Sequence, residues 1–192
     1  MTEANGVSGS SIVCLGWGSL VWDGRNLPVA GVWQVDGPSL PLEFARQSSD
    51  GRMTLVIVDG DHRSPALWCE LDVGSLDEAV QSLADREGVA RLASIGRWPD
   101  ANGRRYPYAE AIADWAEEKG LSAVVWTALK PGMKGRRGDV PSLEEAKAHL
   151  VALAPDAAAL ASEYLLRAPA QIATPHREVL CDIFKGPPKG TS

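Results

Sequence analysis

The sequence predicts an α+β fold, on three observations. Apolar runs of strand length dominate its first half, helical spacing takes over after residue 75, and helix signals gather toward the far end of the chain. A doubly wound parallel sheet needs regular strand–helix alternation, which is missing. The 192 residues, 45% hydrophobic and 23% charged, are enough for one sizeable core. Residues 1–10 read as a loose tail, residues 11–184 as a single domain with a helical C-terminal region, and residues 185–192 as a second tail.

The elements follow in order. Residues 11–15 form a short apolar run that stops at Gly16. Residues 40–46 and 53–58 flank Ser48-Ser49-Asp50-Gly51, which has the composition of a hairpin turn. Residues 66–71 make another strand. Ser75 and Glu78 then have capping-box spacing, with Leu76, Ala79, Val80, Leu83 and Ala84 following at helical intervals and Gly88 placed to end the helix. A helix over about 106–119 closes at Gly120, and a buried strand occupies 123–129. Three last helices are marked by Ser142 with Glu145, by Asp156 after Pro155, and by Thr174 before Pro175.

Composition limits function. With 19 basic and 25 acidic side chains the net charge is −6, which disfavours nucleic acid as a partner. The one local basic cluster, Lys130, Lys134, Arg136 and Arg137 among glycines, reads as a solvated loop. No apolar run approaches the ~20 residues of a membrane helix, and residues 1–10 lack the pattern of a signal peptide, so a cytoplasmic location is expected. Cys14, Cys69 and Cys181 are odd in number and form no C-x-x-C pair, which points to a reducing compartment without a disulfide framework. His62, His149 and His176 are too scattered for a metal signature. Seven Trp against three Tyr and two Phe is unusual, and Trp17 and Trp22 are the two considered as pocket walls.

Two places can carry chemistry. Gly16-Trp17-Gly18-Ser19-Leu20 follows a buried strand, where glycines let the backbone turn sharply and present N–H groups together, a nest suited to a carboxylate or phosphate. It lacks the third glycine of a dinucleotide fingerprint, the lysine of a P-loop and the frame of a nucleophile elbow, and a plain strand-to-loop turn is the alternative. The second place is Glu87, which the stripe Leu76, Val80, Leu83 carries onto the buried face at a helix C-terminus. There burial and the helix dipole both disfavour the charged carboxylate. If the helix ends early, Glu87 points to water instead.

Together, Gly16-Trp17-Gly18-Ser19-Leu20, the hairpin region with Leu42-Glu43-Phe44-Ala45-Arg46-Gln47-Ser48, and Asp85-Arg86-Glu87-Gly88-Val89 resemble the γ-glutamylcyclotransferase superfamily, including ChaC-like enzymes, over about residues 11–89. The family has Tyr where this chain has Trp17. The resemblance implies a small, mostly antiparallel β-barrel with packed helices and extra C-terminal helices. It implies cyclisation of a γ-glutamyl group to 5-oxoproline with release of an amine or amino acid, without metal or organic cofactor. Glu87 would be catalytic. Gly16, Trp17, Gly18, Ser19, Leu20 and Trp22 would bind the small-molecule substrate, the N–H groups of Gly18, Ser19 and Leu20 holding its α-carboxylate. After Val89 the family runs directly into a strand. Here residues 95–119 read as an interruption, in which Arg97, Trp98, Arg104 and Arg105 either grip the distal end of a substrate or decorate the surface. Two rival readings are a non-catalytic binding module using the same pocket for an anionic small molecule or protein tail, and a serine hydrolase pairing Ser19 with His149 or His176.

Overall fold

The computed structural model describes residues 11–185 except Asn102 and Arg104, so both expected tails, apart from Lys185, lie outside the described residues. Among the described residues the fold is α+β, with mostly antiparallel strand pairing and five α-helices. Its main sheet is built from β1 (Ile12–Gly16), β2 (Val29–Gln34), β7 (Leu67–Leu71), β8 (Ile95–Trp98) and β9 (Ala123–Thr127), in the order β2-β7-β1-β9-β8. Two two-stranded ribbons accompany it: β3 (Ser39–Leu40) with β6 (Ser64–Pro65), and β4 (Leu42–Gln47) with β5 (Met53–Ile57). All pairings within these sheets are antiparallel except β1 with β9.

Side-chain alternation explains why β1 and β9 are apolar throughout. Ile12, Cys14, Ala123 and Val125 face one hydrophobic cluster, shared with Val80, Leu83 and Ala84 of α1 (Leu76–Glu87). Val13, Leu15, Val124 and Trp126 face the other. That second cluster is filled by β4 and β5 and by residues of α2 (Ala109–Glu118), α3 (Leu143–Val151), α4 (Pro155–Arg167) and α5 (Arg177–Asp182). A strand covered on both faces reads as a continuous apolar run, because neither set of alternate residues meets water.

The helix boundaries follow from their caps. Ser75 Oγ accepts the Glu78 N–H at 3.2 Å, while the Glu78 carboxylate reaches back to the Gly74 N–H at 2.8 Å, one residue earlier than a capping box requires. Gly88 ends α1 in the left-handed conformation with φ of 65°, which a residue without Cβ adopts freely. Ser142 and Glu145 form the full reciprocal box of α3. Helix α2 begins at Ala109, three residues later than its spacing suggests.

Two expectations need correction here. Residues 95–98 are not part of an insertion: they form β8, the sheet edge antiparallel to β9, so a strand does follow α1. The basic loop after β9 is not simply solvated. Gly132 N–H donates to the Ala45 carbonyl at 2.7 Å and Gln47 N–H to the Gly132 carbonyl at 3.2 Å, which pins the loop along β4.

Candidate active site

The site begins where β1 runs out. After Gly16 the chain makes a single 3-10 turn over Ser19–Val21, with Val21 N–H donating to the Gly18 carbonyl at 3.0 Å. The first N–H groups of such a turn have no carbonyl partner within it. Helix α1 lies against the main sheet and ends beside this loop, and both line a cavity of about 530 Å³. Gly16, Trp17, Gly18, Ser19, Leu20 and Glu87 all contribute to its wall.

Arg86 connects the two halves. It is buried, its side chain only 4% exposed, and its Nη1 sits 2.6 Å from Glu87 Oε1 while Nη2 donates to Ser19 Oγ at 3.3 Å. Both Nε and Nη2 also donate to the Asp23 carbonyl, and the Arg86 carbonyl in turn accepts from Arg25 Nη1 at 3.1 Å. Glu87 is 17% exposed at its side chain, recessed but open to the cavity. The carboxylate is therefore not isolated in an apolar wall, as its place on the helical stripe suggests. It faces a fixed counter-charge, and the fully buried member of the pair is Arg86.

Trp17 is buried and points its indole N–H at the Leu55 carbonyl, 3.2 Å away. The Leu55 N–H donates to the Tyr164 hydroxyl, also at 3.2 Å. Two aromatic tips, one from the site loop and one from α4, thus satisfy the backbone of the same β5 residue. Tyr164 lines the cavity, and burial pushes its phenol up to about 12, so it is a neutral O–H under ordinary conditions. Gly18 fits beneath it only because it lacks a side chain: a Cβ there would lie 2.2 Å from the Tyr164 oxygen.

Trp22 does not line this cavity. It lies in an adjoining recess of about 230 Å³, packs edge-on against Tyr164 with ring centroids 5.4 Å apart, and carries Arg167 over its face at 5.5 Å. It touches the site through its ring against Tyr164 and through its backbone N–H, which donates to the Ser19 carbonyl at 3.2 Å. Nor do Arg97 and Arg105 line the cavity. Arg97 pairs with Asp77 of α1 at 3.3 Å, Arg105 is exposed on the surface, and Arg104 lies outside the described residues. His149 contacts the Gly51 carbonyl at 2.6 Å and His176 faces Glu43 at 3.7 Å, and neither lines the cavity with Ser19. No group of His, Cys, Asp or Glu able to hold a metal occurs among the described residues.

The electrostatics of the cavity oppose those of the chain. Although the net charge is −6, the described residues of the wall present six basic side chains and two carboxylates, Asp50 and Glu87. Asp50 is engaged by Arg52, with an Nη2–Oδ2 distance of 2.8 Å, and by Ser48. Burial raises its carboxyl, but those hydrogen bonds outweigh it and hold the group below the usual carboxylate value. Burial also lowers the Arg46 guanidinium, and the like charge of Arg137 lowers it further.

Sequence reasoning missed Tyr164, Arg86 and the other basic residues that line the cavity. Ala161, Tyr164, Leu165 and Ala168 do recur at helical spacing, which marks a buried face of α4, but that spacing carries no sign of what the face covers. No family model matches this chain, and no curated protein matches it in sequence. Among the described residues no helix is long and apolar enough to cross a membrane.

Proposed function

We propose that the chain is a γ-glutamylcyclotransferase-like enzyme that cyclises a γ-glutamyl group to 5-oxoproline. The observation that carries this reading is that Glu87 and the Gly16-to-Leu20 loop share one cavity, tied to each other through Arg86. The antiparallel barrel of that family and a cytoplasmic setting belong to the same proposal.

In the reaction the substrate's α-amine attacks its own γ-carbonyl carbon. A new C–N bond closes the five-membered ring as the bond to the leaving nitrogen breaks. Because the step is intramolecular, holding one folded conformer of the γ-glutamyl chain supplies much of the catalysis. Backbone N–H groups of Gly18, Ser19 and Leu20 would hold the α-carboxylate. Glu87 takes a proton from the attacking amine and delivers it to the leaving nitrogen, with Arg86 fixing the direction of the carboxylate. The Tyr164 hydroxyl, having accepted from Leu55, keeps its own proton to donate into the cavity. Tyr164 offers a phenol at a site whose loop carries Trp17 in place of the family's Tyr.

The test is release of 5-oxoproline from a panel of γ-glutamyl amides. Glu87→Gln is expected to keep the fold and bind the same compounds while turnover falls at least about a hundredfold. Unchanged turnover removes the assignment. The surplus of basic residues favours, as second reading, a binding module for an anionic small molecule, and binding of the panel without any turnover is its signature.

A further inference from the structure

Three of the six basic residues around the cavity already have carboxylate partners or neighbours: Arg25 with Asp23 at 3.4 Å, Arg52 with Asp50, and Arg86 with Glu87. The other three have no ion-paired carboxylate, although Glu87 lies close enough to Arg46 to act on it electrostatically. Arg46 Nη1 donates to the Lys130 carbonyl at 2.6 Å, Lys134 Nζ to the Ser49 carbonyl at 2.9 Å, and Arg137 to the carbonyls of Gly132 and Gln47, the latter at 2.7 Å. Among the described residues none of these three forms an ion pair. Carbonyl partners aim a cation but do not neutralise it. The loop that carries Lys134 and Arg137 is held along β4 by backbone bonds to Ala45 and Gln47, on either side of Arg46, and by the Gln47 side chain at Lys134 N–H. Its cations are thus brought to one wall of the cavity that also contains Glu87. Charges of one sign held together in a recess repel one another unless an anion enters between them.

We propose that Arg46, Lys134 and Arg137 form an anion clamp, and that the leaving half of the γ-glutamyl substrate ends in a carboxylate or phosphate held by it. The clamp stands on these contacts alone, and its assignment to the leaving half rests on the cyclotransferase reading. With the γ-glutamyl head between the Gly18–Leu20 backbone and Glu87, the leaving group is the part of the substrate left to meet the clamp. The occupant is a small molecule rather than a polyanion: the recess is about 530 Å³ and the chain as a whole is acidic.

The test compares three compounds that share the γ-glutamyl head: γ-glutamylglycine, its uncharged glycinamide counterpart, and the γ-glutamyl amide of 2-aminoethyl phosphate. 5-Oxoproline release is read as kcat/KM, and binding of inorganic phosphate and of malonate is measured separately by calorimetry. The charged compounds are expected to lead the glycinamide by about a hundredfold, and the better of the two identifies carboxylate or phosphate. Lys134→Ala and Arg46→Gln are each expected to cut that lead about tenfold, as loss of one charge-assisted bond implies, while Arg97→Gln leaves it unchanged. Lys134 is exposed on the loop, so its variant carries the test if Arg46→Gln fails to fold. Equal kcat/KM for charged and neutral compounds, or a lead that survives both clamp variants, overturns the clamp while leaving the cyclotransferase reading intact. Phosphate or malonate binding that weakens tenfold in Lys134→Ala, without 5-oxoproline from any compound, keeps the clamp and removes the cyclotransferase reading. Neither binding nor release removes both.

Discussion

Gly18 and Tyr164 form the tightest steric pair at the site, and the geometry sets a specific cost for disturbing it. In Gly18→Ala the new methyl would lie 2.2 Å from the Tyr164 oxygen, so either the loop or α4 must shift. Overpacking of this kind costs about 1–3 kcal/mol. Tyr164→Phe relieves the clash but strands the Leu55 N–H, a separate loss of about 1–3 kcal/mol. The double variant is therefore expected to lose less stability than the two single variants together, as measured by urea unfolding, and simple additivity would mean that the two residues do not press on each other. At this scale sequence reading succeeded unevenly. Glu87 was legible because helical spacing counts forward reliably from Leu76 to the glycine that ends the helix. Tyr164 was not, because its partners Gly18 and Leu55 are more than a hundred residues away and local spacing holds no record of them.

Among the elements, β4 is the one on which the most distant segments converge. Glu43 is buried there with its carboxylate accepting from Phe44 N–H at 2.8 Å, Thr174 Oγ1 at 2.6 Å and His176 N–H at 3.2 Å. It fastens the turn before α5 to the ribbon, while the loop after β9 lies along the same strand through Ala45 and Gln47. Glu43→Ala removes the acceptor for three donors at once and is expected to cost about 2–4 kcal/mol in urea unfolding. Glu43→Gln, which retains one carbonyl oxygen, should cost less, and equal effects would show that the carboxylate's acceptors are not what holds the turn. Helix ends, the hairpin before Met53 and the strand pair β1 and β9 could be read from local chemistry: Ser caps, glycine stops and uninterrupted apolar runs. The attachment of the 130–138 loop could not, since glycines and cations read the same whether a loop is pinned by its backbone or free in solvent. Strand β8 escaped for a related reason, its four residues being too few to display a period.

For the molecule as a whole, alkaline pH is the expected weakness. Cys69 and Tyr164 are buried neutral acids, each pushed up to about 12, and burial raises Cys14 as well. A group whose folded value is raised keeps its proton longer in the folded chain, so its contribution is complete below the unfolded value and declines as pH rises toward the folded one. Unfolding free energy should therefore be level near neutrality and fall from about pH 9 toward pH 12. A flat profile between pH 8 and 11 would show that these groups ionise as easily folded as unfolded. The parallel pair at the centre of the sheet has a different consequence, in the time domain. Ile12 is registered with Ala123, so β1 and β9 meet only after more than a hundred intervening residues have been gathered in. Ring closure over so long a span is slow and entropically uphill, whereas the β4–β5 hairpin and the β8–β9 pairing span far less chain. The loop of the candidate site is the direct continuation of β1, so during folding the cavity assembles when that late seam closes, and a nascent chain released before β9 has emerged would hold both Glu87 and Ser19 yet lack the seam between β1 and β9.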